Sequence, residues 1–386
     1  MQLPKILSKR LSTIFGRLNC NAAINFIKMR IFTITKDSET IVDVVNEKII
    51  YFGYHDFFDK IVKANNCFIC GASPEDKEFN DEHIIPDWIL RKFNLYNNSI
   101  TLPNQTSINY RNYTIPCCKD CNSLLGKTYE GPISSLLNGS YQNLIEKIAA
   151  NNSIVELLFF WMCLIYVKTH LKDTWLLQSR DTRIKQGMIG DHFDWSDTHH
   201  VHCMARAFYT NAKVLDNVYG SILILPAMVS EDVGKFDYMD HAIAKTAMIQ
   251  MGEICIIAVL NDSCACQSVF GGPLSKISGP LTPFQIREIF AHMMFINLHL
   301  VDRPSYHSTI ESGGYEIVAT LPGKLRLAQE KDWVVPLPEL LYQYLAPLFP
   351  DDDPNKNKIL EMVRAGKMRY LLNENEEFVD FSKKTK

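Results

Sequence analysis

Cys67-Phe-Ile-Cys70-Gly71, Asp81-Glu82-His83-Ile84-Ile85-Pro86 and Cys118-Lys-Asp-Cys121-Asn122 follow one another within one short region of the chain. Two C-x-x-C pairs supply four thiolates, the ligand set of a tetrahedral structural zinc. Each pair belongs on a tight turn, which Gly71 permits behind the first. Cys117 disturbs the register, but Cys118 has the correct spacing to Cys121, so Cys117 is expected as a buried neighbour. Zinc alone would only pin a fold; the chemistry is expected from the residues between the pairs. There, two carboxylates precede a histidine, an apolar pair and a proline. Successive residues of a strand face opposite ways, so the acid and the histidine share a site only where the chain bends. Asn122 is expected at the start of a helix over 122–129, its side-chain oxygen within reach of a metal. Acid, histidine and amide together suit phosphodiester hydrolysis. A histidine takes the proton from water, and a hard divalent cation holds the scissile phosphate and the leaving oxygen.

The order C-x-x-C-G, E-H-I-I-P, C-x-x-C-N resembles the HNH endonucleases, with their ββα-metal site. The resemblance covers residues 67–130 and implies a role for each matching position. His83 matches the general base, and Glu82 the acid before it that binds the catalytic metal. Asn122 matches the final position, the second metal ligand, where the family has either His or Asn. Asn112 matches the middle asparagine that orients the loop of the base, with Asn104 and Asn109 as competitors, and Asp81 is an alternative to Glu82. Cys67, Cys70, Cys118 and Cys121 match the structural zinc ligands. The implied cofactors are therefore Zn²⁺ for structure and Mg²⁺ or Mn²⁺ for catalysis. The implied substrate is nucleic acid, with double-stranded DNA preferred. The span from His83 to Asn122 is longer than in the smallest members of the family, which predicts an insertion around 94–110.

Local charge gives this region no excess of either sign, because its bases and acids balance between Lys60 and Glu130. If a metal neutralises the acids beside it, Arg91, Lys92, Arg111, Lys119 and Lys127 are left to hold phosphates. Trp88, Phe93, Tyr96, Tyr110 and Tyr113 are interleaved with them. They offer stacking surfaces for unpaired bases, but at this density packing of the small domain is the preferred reading.

The 386 residues suffice for two or three domains of roughly 100–200 residues each. With 47% hydrophobic and 22% charged residues the chain can bury a core. Its net charge of −3 gives no global signal for nucleic acid. Eleven cysteines, odd in number and without a preceding signal peptide, suit a reducing, cytoplasmic setting better than a disulfide framework. The apolar run Ile154–Val167 is shorter than the about 20 residues of a bilayer span and is expected as a buried core helix rather than a transmembrane segment.

The expected class is α+β, a zinc-stabilised ββα-metal module with a larger mixed α+β C-terminal domain. The expected divisions are a basic amphipathic segment (1–28), a short α/β lead-in (29–66), the nuclease module (67–135), an accessory domain (136–348), and a linker with a C-terminal helix (349–386). The basic segment reads as a nucleic-acid or membrane-surface helix, an organellar presequence or an ordinary surface helix. Short strands are expected at 31–34, 48–53, 200–210, 221–225, 253–260 and 315–321. Helices are expected at 54–64, 140–173 with a break at Asn151-Asn152-Ser153, 282–300 and 359–372. His200 and His202 form a possible metal pair on the 200–210 strand, though ordinary histidines are the preferred reading. The cysteines Cys255, Cys264 and Cys266 read as small buried thiols. The accessory domain is expected to choose a substrate, hold a protein partner, form a homodimer or gate the nuclease. Defence against foreign DNA is a role reached by analogy only. Three rivals stand beside the DNA endonuclease: a non-catalytic zinc module binding nucleic acid or protein, an RNA-cleaving toxin, and a nuclease that needs a partner for activity.

Overall fold

The computed structural model describes residues 31–35, 37–229, 235–311 and 314–384, so the basic segment 1–28 lies outside the described residues. The chain opens on an antiparallel meander, β1 (Phe32–Ile34), β2 (Ile41–Asp43) and β3 (Lys48–Tyr51). Helix α1 (Tyr54–Asp56) follows and widens into a π-helical stretch, Phe57–Val62. After the first cysteine pair, β4 (Phe79–His83) leads through α2 (Asp87–Lys92) into a hairpin, β5 (Ser99–Thr101) and β6 (Ser107–Asn109). That hairpin occupies the stretch around 94–110. β7 (Thr114–Cys118) returns antiparallel to β4, and α3 (Lys119–Leu125) starts at once. A π-helical stretch, Gly126–Glu130, carries the helix on into α4 (Gly131–Leu137). A strand–strand–helix unit therefore spans the two cysteine pairs.

Helices α5 (Tyr141–Ala150) and α6 (Ser153–Asp173) meet at Asn151, whose side chain accepts from the Ser153 amide at 3.1 Å. The break falls where Asn-Asn-Ser competes with the helical ladder. By length and composition α6 could cross a membrane, yet here it is the core helix, buried at every position from Trp161 to Leu171. Helix α7 (Trp195–Ala205) and the short α8 (Ala207–Thr210) occupy the stretch expected as a strand at 200–210. Its aromatic and β-branched residues mimic strand composition. The Asp194 side chain caps the first turn through the Ser196 amide at 2.9 Å, and burial on several sides of the helix outweighs propensity.

The C-terminal half is built on an antiparallel sheet of order β10-β11-β12-β9. Its strands are β9 (Ile222–Pro226), β10 (Phe236–His241), β11 (Thr246–Met251) and β12 (Ile254–Val259); β8 (Lys213–Val214) precedes it and belongs to a second sheet. Every residue of β11 and β12 is buried. Alternation sends Ile249, Ile256 and Ala258 into the core that holds α6 and the cysteine region. Met248, Ile257 and Val259 face a second core, against α10 and α11. Helix α9 (Ala265–Ser275) precedes α10 (Pro283–Leu298), whose start is closed by a reciprocal cap between Thr282 and Gln285. β13 (Ser305–Glu311) and β14 (Gly314–Thr320) form a hairpin beside β8, and α11 (Leu337–Leu345) and α12 (Lys356–Arg364) complete the chain. The last helix stops eight residues short of the expected Leu372, because Gly366 adopts φ +67° and the Lys367 amide turns back onto the Met362 carbonyl at 2.9 Å. The polypeptide beyond it runs as a strap fixed by α10. The Gln285 amide donates to the Tyr370 and Val379 carbonyls, and the Glu288 carboxylate accepts from the Leu371 amide.

At the C-terminal end of α6, His170 is buried with Asp173 3.2 Å from Nδ1 and Asp240 of β10 3.1 Å from Nε2. Burial opposes its charge, but the two carboxylates outweigh burial and raise its pKa to about 9. A histidine whose folded pKa exceeds its unfolded value near 6.5 stabilises fully below that value and loses its contribution as pH rises through the folded pKa. Urea unfolding is therefore expected to show stability falling between about pH 7 and pH 9, and the fall should flatten in His170→Gln.

Candidate functional site

The sulfurs of Cys67, Cys70, Cys118 and Cys121 lie within 4.8 Å of one another, grouped as a metal ion would need. Bonds of about 2.3 Å from zinc to sulfur at tetrahedral angles put ligand sulfurs about 3.8 Å apart, and the Cys70 and Cys118 sulfurs are 3.7 Å apart. Cys117, the neighbour, is buried with its sulfur 3.8 Å from that of Cys67. Contact with Cys67 and then burial push its thiol pKa up, which keeps it protonated. Among the described residues these four form the one group of three or more His, Cys, Asp or Glu side chains close enough to share an ion.

The first knuckle is a closed turn, with the Gly71 amide on the Cys67 carbonyl at 2.8 Å and the Cys67 amide on the Ala72 carbonyl at 2.9 Å. Gly71 sits at φ +78°, and a Cβ there would come within 2.6 Å of the Phe52 ring, so the position requires glycine. The knuckle's own carbonyls are buried and are satisfied from far along the chain. His202 of α7 meets the Phe68 carbonyl at 2.7 Å through Nε2. Arg206 donates from Nε to the Ile69 carbonyl at 2.6 Å and from Nη2 to the Ile49 carbonyl at 2.7 Å, with its guanidinium carbon 4.5 Å from the Phe52 ring centre. Burial drives the His202 pKa well down, so the neutral ring donates. His200 and His202 are thus ordinary core histidines, as preferred, and they lie on a helix rather than on one face of a strand. His202 is spent on a carbonyl, and His200, held neutral by burial with a pKa of about 3, stacks on Tyr306 at 3.6 Å. Sequence reading gave no hint of Arg206, because a lone arginine after a helix carries no motif.

The motif residues occupy β4 in unbroken register with β7: Glu82 opposite Ile115, His83 opposite Thr114. No bend intervenes, so alternation sends Glu82 and His83 to opposite sides of the strand. Asn80 is on the Glu82 side, and its side-chain oxygen accepts from Asn122 Nδ2 at 2.9 Å. Asn122 lies one turn inside α3 rather than at its start, because the helix begins at Lys119, directly after β7. His83 and Asn122 are half-buried, and Asp81 and Asn112 are exposed. Asn112 precedes Tyr113, whose carbonyl accepts from the Ile84 amide at 3.0 Å, so it flanks the strand end that carries His83. Of its competitors, Asn104 is spent on the hairpin turn and the Leu177 carbonyl, and Asn109 accepts from Ser99.

Glu82 is 6% exposed, and the reason is Lys168, a fully buried lysine on α6. Its ammonium donates to Glu82 Oε1 at 2.7 Å and to the His83 carbonyl at 2.6 Å. Glu130 shares this pocket. Burial raises its pKa to about 7 against the pull of Lys168, and Glu82 adds to the rise. Lys168 was not among the sequence candidates, since a lysine at the end of an apolar helix reads as an exposed boundary residue.

Four of the five expected phosphate contacts are already engaged within the chain. Arg91 pairs with Asp87, Lys92 donates to the Leu137 carbonyl at 3.1 Å, and Arg111 donates to the Tyr96 carbonyl at 3.1 Å. Lys119 pairs with Glu78, and Lys127 is exposed. The interleaved aromatic rings pack as preferred: Tyr110 and Tyr113 are buried, and Phe93 and Tyr110 lie against Phe236 at 5.9 Å. Comparison with protein-family models, curated proteins and solved structures gives no match.

Zinc content separates the cysteines. Cys118→Ser is expected to lose the bound metal and unfold cooperatively at lower temperature, whereas Cys117→Ser keeps the metal, as measured by elemental analysis and by the thiolate charge-transfer bands of the cobalt-substituted protein. Arg206→Met leaves the Ile69 and Ile49 carbonyls without a donor and is expected to cost about 3 kcal/mol in urea unfolding.

Proposed function

We propose that the protein is a metal-dependent endonuclease of the HNH type that hydrolyses phosphodiester bonds of DNA, with a structural zinc on Cys67, Cys70, Cys118 and Cys121. The observation that carries this reading is the position of the cysteine cluster. It ties the turn before β4 to the β7–α3 junction of a strand–strand–helix unit whose strand holds Glu82 and His83 and whose helix holds Asn122. In this reading His83, half-buried at the end of β4, takes the proton from the attacking water, which requires the strand end to turn His83 toward the Glu82 side when substrate and metal bind. Glu82 and Asn122 would hold Mg²⁺ or Mn²⁺, which supplies charge for the scissile phosphate and the leaving oxygen. Asn112 steadies the segment beside His83, and Arg91, Lys92, Arg111, Lys119 and Lys127 are the proposed backbone contacts. Defence against foreign DNA suits such a nuclease, and an RNA substrate is an outcome of the same test.

The Lys168 ammonium gives a second reading its footing. It already neutralises Glu82, so a cation must displace it or share the carboxylate. If neither happens, the unit is a zinc-pinned scaffold that binds nucleic acid or protein without cutting it, or a nuclease that a protein partner must open.

Cleavage of plasmid DNA and of structured RNA with Mg²⁺ or Mn²⁺ decides between these readings. The wild type is expected to cut, EDTA to stop it, and His83→Ala to cut at least about a hundredfold more slowly while keeping its zinc. Intact substrates with zinc retained would leave the scaffold reading. Lys168→Met is expected to cost about 3–5 kcal/mol by leaving a buried carboxylate unpaired. Recovery of its melting temperature with Mn²⁺ would identify Glu82 as a cation ligand, and no recovery would speak against it.

A further inference from the structure

A cleft of about 660 Å³ opens between the β5–β6 hairpin, the end of α6, β10 and α11. Its size is that of small-molecule sites. The rings of Tyr110, Phe193 and Tyr344 form part of its wall, one from each of three separate parts of the chain. The polar groups are of both kinds. His170 and Arg287 bring N–H donors; Asp237 and Asp240 bring acceptors.

One of those donors is incompletely used. His170 is 3% exposed, with Asp173 on its Nδ1 and Asp240 on its Nε2, so it forms the floor of the cleft and holds Asp240 in place. Arg287 spends Nη1 on the Tyr344 carbonyl at 2.9 Å and Nη2 on Asp237 at 2.8 Å, while its buried Nε has no acceptor. A buried donor without an acceptor is uncommon, and beside a cleft it marks a place where a ligand atom would complete the set. The charges nearly cancel. The imidazolium of His170 is held by Asp173 and Asp240, and Arg287 is held by Asp237. A phosphate would therefore find no net attraction. An uncharged planar ring with donors and acceptors along its edge meets both the aromatic wall and the mixed polar groups.

We propose that this cleft binds a nucleobase, read along its edge by Arg287, Asp237 and Asp240 and packed against the aromatic wall. The base comes either from a free nucleoside or from an unpaired position in a nucleic-acid strand. The site is independent of whether the His83 centre cuts.

Isothermal titration of the full chain with each of the four ribonucleosides, and with single-stranded DNA of mixed sequence, tests this by binding alone. At least one nucleoside is expected to bind saturably with a dissociation constant below about 1 mM. Thr101→Trp, on the exposed rim of the hairpin, is expected to weaken it at least about tenfold without changing the melting temperature, and Tyr344→Ala to weaken it similarly. Nucleoside binding without strand binding assigns a small-molecule site. Strand binding that the nucleoside competes away assigns an unpaired base. No binding of nucleoside or strand, binding indifferent to both substitutions, or strand binding that no nucleoside displaces would overturn the proposal.

Discussion

Four cysteine sulfurs within 4.8 Å of one another cannot all carry negative charge unless a cation lies among them. Much of the first half of the chain depends on that grouping. It ties the turn after α1 to the junction of β7 and α3, and so sets the register in which β4 presents Glu82 and His83. The turn that supplies Cys67 and Cys70 also exposes carbonyls to the interior, and water cannot reach them. His202 and Arg206 donate to them instead. The cysteine region and the helices after α6 thus complete one another's hydrogen bonding, and a single apolar core runs from Ile41 to Ile317 across both.

Helix α6 connects this region to the rest of the molecule by charge as well as packing. An apolar helix buried over its second half still carries Lys168, His170 and Asp173, and each is partnered. Lys168 faces Glu82 in the strand–strand–helix unit, and His170, further along the same helix, faces Asp240 in the four-stranded sheet. Removing one partner of a buried pair strands the other, so these contacts fix the position of α6 more sharply than apolar packing could. They also give Glu82 two claims on its carboxylate, one from the lysine and one from any divalent cation.

The fully buried strands β11 and β12 explain why the C-terminal half could be read only in part. Alternation normally marks a half-exposed strand. A sheet covered on both faces has none, and short apolar runs remain as the only sign. Those runs at 221–225 and 253–260 correctly gave β9 and β12, and the caps at Asn151 and Thr282 correctly gave the starts of α6 and α10. The 200–210 segment misled because β-branched and aromatic residues are also the currency of a helix buried on several sides. The overlong last helix misled because only the left-handed turn at Gly366 marks its end.

Within the candidate site, the sequence alone determined which cysteines belong together, since C-x-x-C spacing dictates local turn geometry. It separated Cys118 from Cys117, asked for glycine at position 71, and placed the mixed α and β class. These are properties of neighbours along the chain. Tertiary structure alone decided that β4 runs straight through Glu82 and His83, that Lys168 meets Glu82 from 86 residues away, that Arg206 closes the knuckle, and that His200 and His202 hold ring and carbonyl partners. Burial strips water from a charged or polar group and forces it to find a partner wherever the fold brings one, and that partner leaves no trace in local spacing.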